Sequence, residues 1–221
     1  MTQTRTYAYN SYGELQSVTH PENGVMLYEY FDDGSLQKKT DAKCQRVEWT
    51  YDAEGRPVTV KRFSAAGVED VCARVTTTYG SQGLDGSFSG ANLAGRLASV
   101  TTGCANVPSG ETETKGGRVD ELYSYNSAGA VVTKRVRILR GNSTVTKDIG
   151  YTFDGEGKLA TMQYPDEPKP YVMSYDAMAR PSGMTQEYQL PGDPAWLNRN
   201  WVSGVSYGVA GQFGLLQGST G

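Results

Sequence analysis

The sequence is poor in the residues that carry out chemistry. It holds one histidine, His20, among 221 residues, so any Ser–His–Asp or Cys–His device would have to be built on that side chain. His20 precedes Pro21-Glu22-Asn23-Gly24, a turn sequence that places it in an exposed loop between two hairpins. The three cysteines, Cys44, Cys72 and Cys104, form no Cys-x-x-Cys pair; with a single histidine this argues against zinc or another transition metal. No apolar run approaches the ~20 residues of a bilayer-spanning helix, and Met1 to Asn10 lacks the apolar stretch of a secretory signal. Charge of one sign is scarce as well. A net charge of −3 with no basic run leaves no footprint for nucleic acid. The densest basic stretch, Lys134, Arg135, Arg137 and Arg140, reads as a solvated strand face.

The remaining site signals are equally thin. Asp32-Asp33, Glu69-Asp70 and Asp166-Glu167 pair carboxylates in sequence, but glycosidase chemistry needs two carboxyls on the order of 5–10 Å apart across a cleft. Asp154-Gly155-Glu156-Gly157 has too few spaced oxygen ligands for an EF-hand loop. No Walker-type loop is present, and Gly86, Gly90, Gly103 and Gly110 lie in insertions with no following helix. Asn142-Ser143-Thr144 fits a glycosylation sequon but reads as a polar turn. The expectation is therefore no enzyme, no metal and no cofactor.

What the chain does have is tyrosine, glycine, threonine and valine: 15 Tyr and 27 Gly, with 38% hydrophobic and 10% aromatic residues. Such a composition favours strands and turns, and the low net charge argues against disorder. The aromatics are periodic. Tyr9, Tyr30, Tyr51, Tyr79, Tyr125, Phe153, Tyr175 and Tyr207 are followed four residues later by Gly13, Gly34, Gly55, Gly83, Gly129, Gly157, Ala179 and Gly211. The chain holds ten aromatic-to-glycine pairs at this offset, against roughly three expected by chance. Seven fall in this one register, whose eight anchors are spaced 21, 21, 28, 46, 28, 22 and 32 residues apart. A second bulky residue stands two before the anchor, at Tyr7, Tyr28, Trp49, Tyr123, Tyr151 and Met173, which puts both on one strand face.

One unit reads as strand, turn, strand. Asp52-Ala53-Glu54-Gly55 suits a type I turn, with the Asp side chain bonding backbone N–H groups and Gly taking positive φ. Val47 to Tyr51 and Arg56 to Arg62 flank it as strands. The fourth unit is interrupted: Tyr79 opens it, while Gly95, Arg96, Leu97 and Val100 look like its second half. A lone hairpin is marginal, so consecutive hairpins are expected to pair and to stack their aromatics. The fold expected is an all-β array of about eight hairpins over residues 1–221, in a continuous curved or spiralling antiparallel sheet, with insertions near 83–95 and 103–120. A β-propeller is the alternative, since two 21-residue hairpins would make a four-stranded blade. No segment reads as a convincing amphipathic helix; the best candidate is short, around Asp193 to Asn198. Cys72 and Cys104 flank the glycine-rich stretch and could face each other as a disulfide; reduced, buried thiols are the other reading.

The order Trp49-Thr50-Tyr51-Asp52-Ala53-Glu54-Gly55-Arg56 resembles the signature of the YD repeat of the RHS family, with variants at Tyr123 to Gly129 and Tyr151 to Leu159. The resemblance covers residues 7–217. It implies a segment of a larger, secreted or surface-exposed bacterial protein whose repeats wrap a toxin or effector domain; teneurins carry a similar shell. The family's shell often ends in an Asp-Pro-x-Gly-type self-cleaving motif. Here Asp193-Pro194 is followed by Ala195-Trp196, so no autoproteolysis is expected. Two functions follow as expectations. The first is a structural shell segment, whose partner is the rest of its polypeptide or an enclosed effector domain. The second is a glycan- or cell-surface-binding module that uses Tyr28, Tyr30, Trp49, Tyr51, Tyr123 and Tyr125 as stacking platforms.

Overall fold

Segments rich in Thr, Tyr and Val separate the glycine turns, and each of them is a strand. The computed structural model describes residues 4–81, 86–104, 117–190 and 195–218. Among these, sixteen strands form eight hairpins. The first four are β1 (Thr6–Tyr9) with β2 (Leu15–His20), β3 (Gly24–Tyr30) with β4 (Leu36–Thr40), β5 (Arg46–Tyr51) with β6 (Pro57–Phe63), and β7 (Val75–Tyr79) with β8 (Leu97–Gly103). The second four are β9 (Arg118–Tyr125) with β10 (Val131–Arg140), β11 (Ser143–Phe153) with β12 (Leu159–Gln163), β13 (Tyr171–Tyr175) with β14 (Pro181–Gln189), and β15 (Trp196–Tyr207) with β16 (Phe213–Gly218). Strand order in the sheet is chain order. The chain falls into two compact units, Met1–Leu122 with Val136–Thr146 and Tyr123–Arg135 with Lys147–Gly221.

In the first unit, β1 to β9 make one uninterrupted antiparallel ladder. Nine strands in one continuous ladder cannot be cut into four-stranded blades, which overturns the propeller alternative. In the second unit the ladder runs from β11 to β16. The described part of the short helix candidate around Asp193 to Asn198 is strand, in keeping with the all-β reading. Trp196, Leu197 and Asn198 open β15 and pair with Gln189, Tyr188 and Glu187. Ladder hydrogen bonds along β14 outweigh any local helical preference there.

Few side chains are fully buried, and those that are cluster at the interrupted fourth hairpin. Phe88 and Leu93 from the insertion, with Ala98 on β8 and Leu122 on β9, are buried, and Ala98 and Leu122 have no exposed surface. Asp120 is buried with them. Its carboxylate accepts from Arg118 Nε at 2.7 Å and Thr101 Oγ1 at 2.8 Å, and lies 3.8 Å from an Arg137 nitrogen. Asp70 caps a single 3-10 turn, Val71–Ala73. Cys72 of that turn is disulfide-bonded to Cys104 just past β8, with Cα atoms 4.6 Å apart, which ties the two open ends of the hairpin together. Cys44 is a free, exposed thiol. Residues 105–116, with most of the insertion expected near 103–120, lie outside the described residues.

Candidate functional site

The repeat signature is the one constellation that recurs through the chain, so the site is built from it. In the third hairpin the Asp52 amide donates to the Arg56 carbonyl and the Gly55 amide to the Asp52 carbonyl. The same two bonds close the turns at Asn10, Phe31, Asn126, Asp154, Asp176 and Gly208. Gly55 sits at φ +75°, and a register shift follows, so Tyr51 pairs with Pro57. This is a type I turn with a G1 bulge, and it explains why glycine follows the anchor by four. The shift recurs at Tyr9, Tyr30, Tyr79, Phe153, Tyr175 and Tyr207. In the fourth hairpin Gly80 donates to the Arg96 carbonyl and Gly95 takes φ +69°, so the insertion lies inside the turn itself. Gly83, the glycine four after Tyr79, lies outside the described residues.

The aspartate of each turn is fully engaged. Asp52 Oδ1 accepts from the Glu54 and Arg56 amides, Asp154 Oδ1 from Glu156 and Lys158, and Asp176 Oδ1 from Met178 and Arg180. The other oxygen meets a cation four residues on: Arg56 at 2.7 Å, Arg180 at 2.6 Å and Lys158 at 3.5 Å. The Arg56 and Arg180 side chains hold Asp52 and Asp176 below the usual carboxylate range, and backbone N–H donors do the same for Asp154.

Two contacts then join one repeat to the next. The anchor tyrosine donates its hydroxyl to the backbone carbonyl two residues past the preceding turn's αL residue. In the first unit these bonds run from Tyr30 to Leu15 at 3.0 Å, Tyr51 to Leu36 at 2.8 Å and Tyr79 to Pro57 at 3.2 Å. In the second they run from Tyr175 to Leu159 at 2.8 Å and Tyr207 to Pro181 at 2.6 Å. Burial raises the Tyr30 and Tyr51 pKa values. The cation paired with the turn aspartate also covers the next anchor's ring: Arg56 over Tyr79 at 4.3 Å, Lys158 over Tyr175 at 5.3 Å and Arg180 over Tyr207 at 4.3 Å.

This corrects the expectation that anchors stack on one another. Anchors recur on every second strand, about 9–10 Å apart, beyond the ~4.5–7 Å of a ring pair. At three joints a cation, Arg56, Lys158 or Arg180, lies over the next anchor's ring instead. Close ring pairs do form, such as Phe31 with Tyr51 and Tyr207 with Phe213, but they join an anchor to a residue beside a turn. The cation after glycine was present in the quoted signature, yet its partner could not be read without the register. Phe153, an anchor without a hydroxyl, cannot make the tyrosine bond.

The other candidates are placed as follows. His20 ends β2, pairs with Gly24 and is half-buried, which corrects the exposed-loop expectation. Asp70 caps its turn, Glu69 makes a two-point ion pair with Arg74, and Asp166 pairs with Lys147. Arg135 makes a two-point pair with Asp148, Lys134 lies over the Tyr123 ring and Arg137 neighbours Asp120, while Arg140 is exposed, so three of the four basic residues expected on a solvated face are paired. Tyr28, Tyr30, Trp49, Tyr51 and Tyr123 are half-buried and Tyr125 is buried. An open groove of about 760 Å³ lies beside the second turn, lined by Tyr12, Tyr28, Tyr30, Glu14, Asp32 and Asp33 among others. No group of metal-ligating side chains occurs among the described residues, and none of their helices is long and apolar enough to cross a membrane. Asp193-Pro194 lies outside the described residues.

Solved structures similar to this chain in fold include three of TcdB2-TccC3. The crystal structure of TcdB2-TccC3 without its hypervariable C-terminal region matches 97% of this chain with a TM-score of 0.68 at 14% identity. TcdB2-TccC3-TEV matches 95% with a TM-score of 0.66 at 14% identity, and TcdB2-TccC3-Cdc42 matches 99% with a TM-score of 0.58 at 18% identity. The chain has their fold. It spans about a tenth of their length: 10%, 10% and 12%. No protein-family model matches the sequence, and no curated protein matches it. The expectation of a YD-type repeat array rests on its own signature residues and on the fold shared with these three structures.

Proposed function

We propose that this chain is a non-catalytic structural segment of a larger secreted or surface polypeptide, part of a repeat shell that encloses or presents a toxin or effector domain. The observation that carries the reading is the use made of the signature. Five anchor hydroxyls, three turn carboxylates and the three cations that follow them are spent on joining hairpin to hairpin. The shared fold with TcdB2-TccC3, in chains about ten times longer, supports a segment role. On this reading residues 1–221 form a single array of repeats. The test is protease protection in the full polypeptide. A downstream domain that is digested when isolated is expected to survive while the repeats are intact. Equal digestion in both settings overturns the proposal.

A second reading, glycan recognition, is favoured by the groove beside the second turn, where Tyr12 is 88% exposed. Against it, the Tyr30 hydroxyl in the same groove already donates to Leu15. Glycan-array binding that is lost in Tyr12→Ala would establish it; an array without signal removes it.

A further inference from the structure

The cation that follows the turn glycine completes three joints, and the third hairpin shows all that it does. Arg56 pairs with the Asp52 carboxylate at 2.7 Å and lies over the Tyr79 ring at 4.3 Å. It also donates to the carbonyl of Gly95, the αL residue of the next turn, at 3.2 Å. The first turn departs from this pattern. Glu14 follows Gly13 there, so the charge at the same place is reversed. Glu14 makes the same reach toward the next turn: its Oε1 is 3.3 Å from where a Cβ on Gly34 would stand. Its charge adds to burial in raising the Tyr30 pKa. The joint at Tyr51 also lacks the cation, since Ser35 follows Gly34, but there the Phe31 ring packs T-shaped against the anchor. Tyr30 has neither: among the described residues no cation and no second ring lies against it.

Tyr30 lines the groove of about 760 Å³ between the first and second turns. The groove carries four carboxylates, Glu14, Glu29, Asp32 and Asp33, and neither lysine nor arginine. Its strand residues come from β2, β3 and β4, each paired on both sides. Lys38 neutralises Glu29, and the neutral donors Ser35 and Asn10 serve Asp33 and Glu14. Asp32 has no side-chain partner among the described residues. The Tyr30 hydroxyl is committed to Leu15, so the ring face is what this anchor has left to offer. A tyrosine ring among carboxylates attracts a cation. We infer that the groove is a docking site for an arginine side chain of a partner polypeptide, which sits against Tyr30 and Glu14 as Arg56 sits against Tyr79 and Asp52. Arginine rather than lysine follows from the joints within the chain: Arg56 and Arg180 approach their rings to 4.3 Å, Lys158 only to 5.3 Å. A planar fork with five donors also meets ring, carboxylate and carbonyl together. A polypeptide rather than a small cation follows from the groove's size, and the Gln16 and Gln37 amides are at hand for a backbone that flanks the arginine. The inference goes beyond the structural reading and holds with or without an enclosed domain.

The test is fluorescence anisotropy of a labelled peptide, one arginine flanked by glycine and serine, titrated with the 221-residue chain. A second peptide carries citrulline instead, which keeps the shape and removes the charge. Saturable binding of the arginine peptide is expected, roughly 10-fold weaker for citrulline and weaker as salt is raised. Glu14→Arg installs the cation that the other joints carry and is expected to abolish binding. Glu14→Gln keeps the side chain's shape and is expected to weaken binding by roughly 3- to 10-fold. Glu22→Gln, between β2 and β3 at their other end, removes the same charge outside the groove and leaves binding unchanged. Far-ultraviolet circular dichroism checks that each variant is folded. Equal binding of the citrulline peptide, binding that survives Glu14→Arg, or no binding at any soluble peptide concentration overturns the inference. Free L-arginine that competes as well as the peptide overturns the choice of a polypeptide. A neutral glycan that binds here when the arginine peptide does not also overturns it and returns the groove to the second reading.

Discussion

The strands around the interrupted fourth hairpin and those at the sheet edges are built on the same repeat, yet they are held differently. Around β8 and β9 the insertion folds back and creates a small three-dimensional core: Leu122 and Ala98 are fully buried and Asp120 is sealed among arginines. At β16 the equivalent ladder leaves Phe213 63% exposed. The difference teaches that the hairpin repeat by itself makes joints, not a core. A single layer of strands has no second layer to bury against, so it relies on bonds repeated at every joint, whereas an insertion supplies local burial at one place. Truncation separates the two most sharply. Leu122→Ala is expected to cost about 2–5 kcal/mol, as for a fully buried leucine, while Leu215→Ala on the exposed strand stays within about 0.5 kcal/mol. Urea denaturation of both variants measures the contrast, and equal losses would dissolve it.

The disulfide sharpens the same comparison. Cys72 and Cys104 close a loop with a sequence separation of 32 residues around the interrupted hairpin. Replacing both with serine is expected to lower stability by about 2–4 kcal/mol. Hydrogen exchange should rise in β7 and β8 first and leave β13 and β14 unchanged. A uniform rise across the chain would mean that the bridge does not act on this hairpin.

Much of this is legible in the sequence. The spacing of Tyr51 and Gly55 gives the turn, the alternation of Trp49 and Tyr51 gives the strand, and eight anchors give eight hairpins. What stayed hidden depends on register. That Tyr51 reaches the Leu36 carbonyl, and that Arg56 bridges Asp52 to Tyr79, follows only once Tyr51 is known to pair with Pro57 through a bulge. Residues 15 to 27 apart become neighbours at these joints for reasons no local propensity encodes. The weak helix candidate near Asn198 is decided in the same way, by pairing with β14.

Within the joints themselves, the departures from the signature are natural experiments. Ala179 stands where seven other anchors have glycine four residues on, and it takes φ +61°. The left-handed region costs a non-glycine residue about 1–2 kcal/mol, partly offset by the greater unfolded-state freedom of glycine. Ala179→Gly is therefore expected to stabilise the chain by about 0.5–1 kcal/mol. Removing a joint bond has a similar size and the opposite sign. Tyr51→Phe loses the hydroxyl bond to Leu36 and is expected to cost about 0.5–1.5 kcal/mol. Thermal melts of the two variants must move in opposite directions.

The smallest expected effect is that of pH, and it addresses the joints alone. Asp52, Asp154 and Asp176 have depressed pKa values in the folded chain, through Arg56, backbone donors and Arg180 respectively. A depressed carboxylate adds stability that is present above its unfolded value, near 3.9, and lost as pH falls through the folded one. Tyr30 and Tyr51 are raised, so their contribution is complete below about pH 10 and is lost above it as the donor ionises. The melting temperature should therefore be flat between these limits, fall below about pH 4 and fall again above about pH 10. In a Tyr51→Phe chain the alkaline fall should shrink while the acid fall remains, because the carboxylates of the turns do not depend on that hydroxyl. If both limbs changed together, the turn and the tyrosine bond would be one unit rather than two separable parts of each joint.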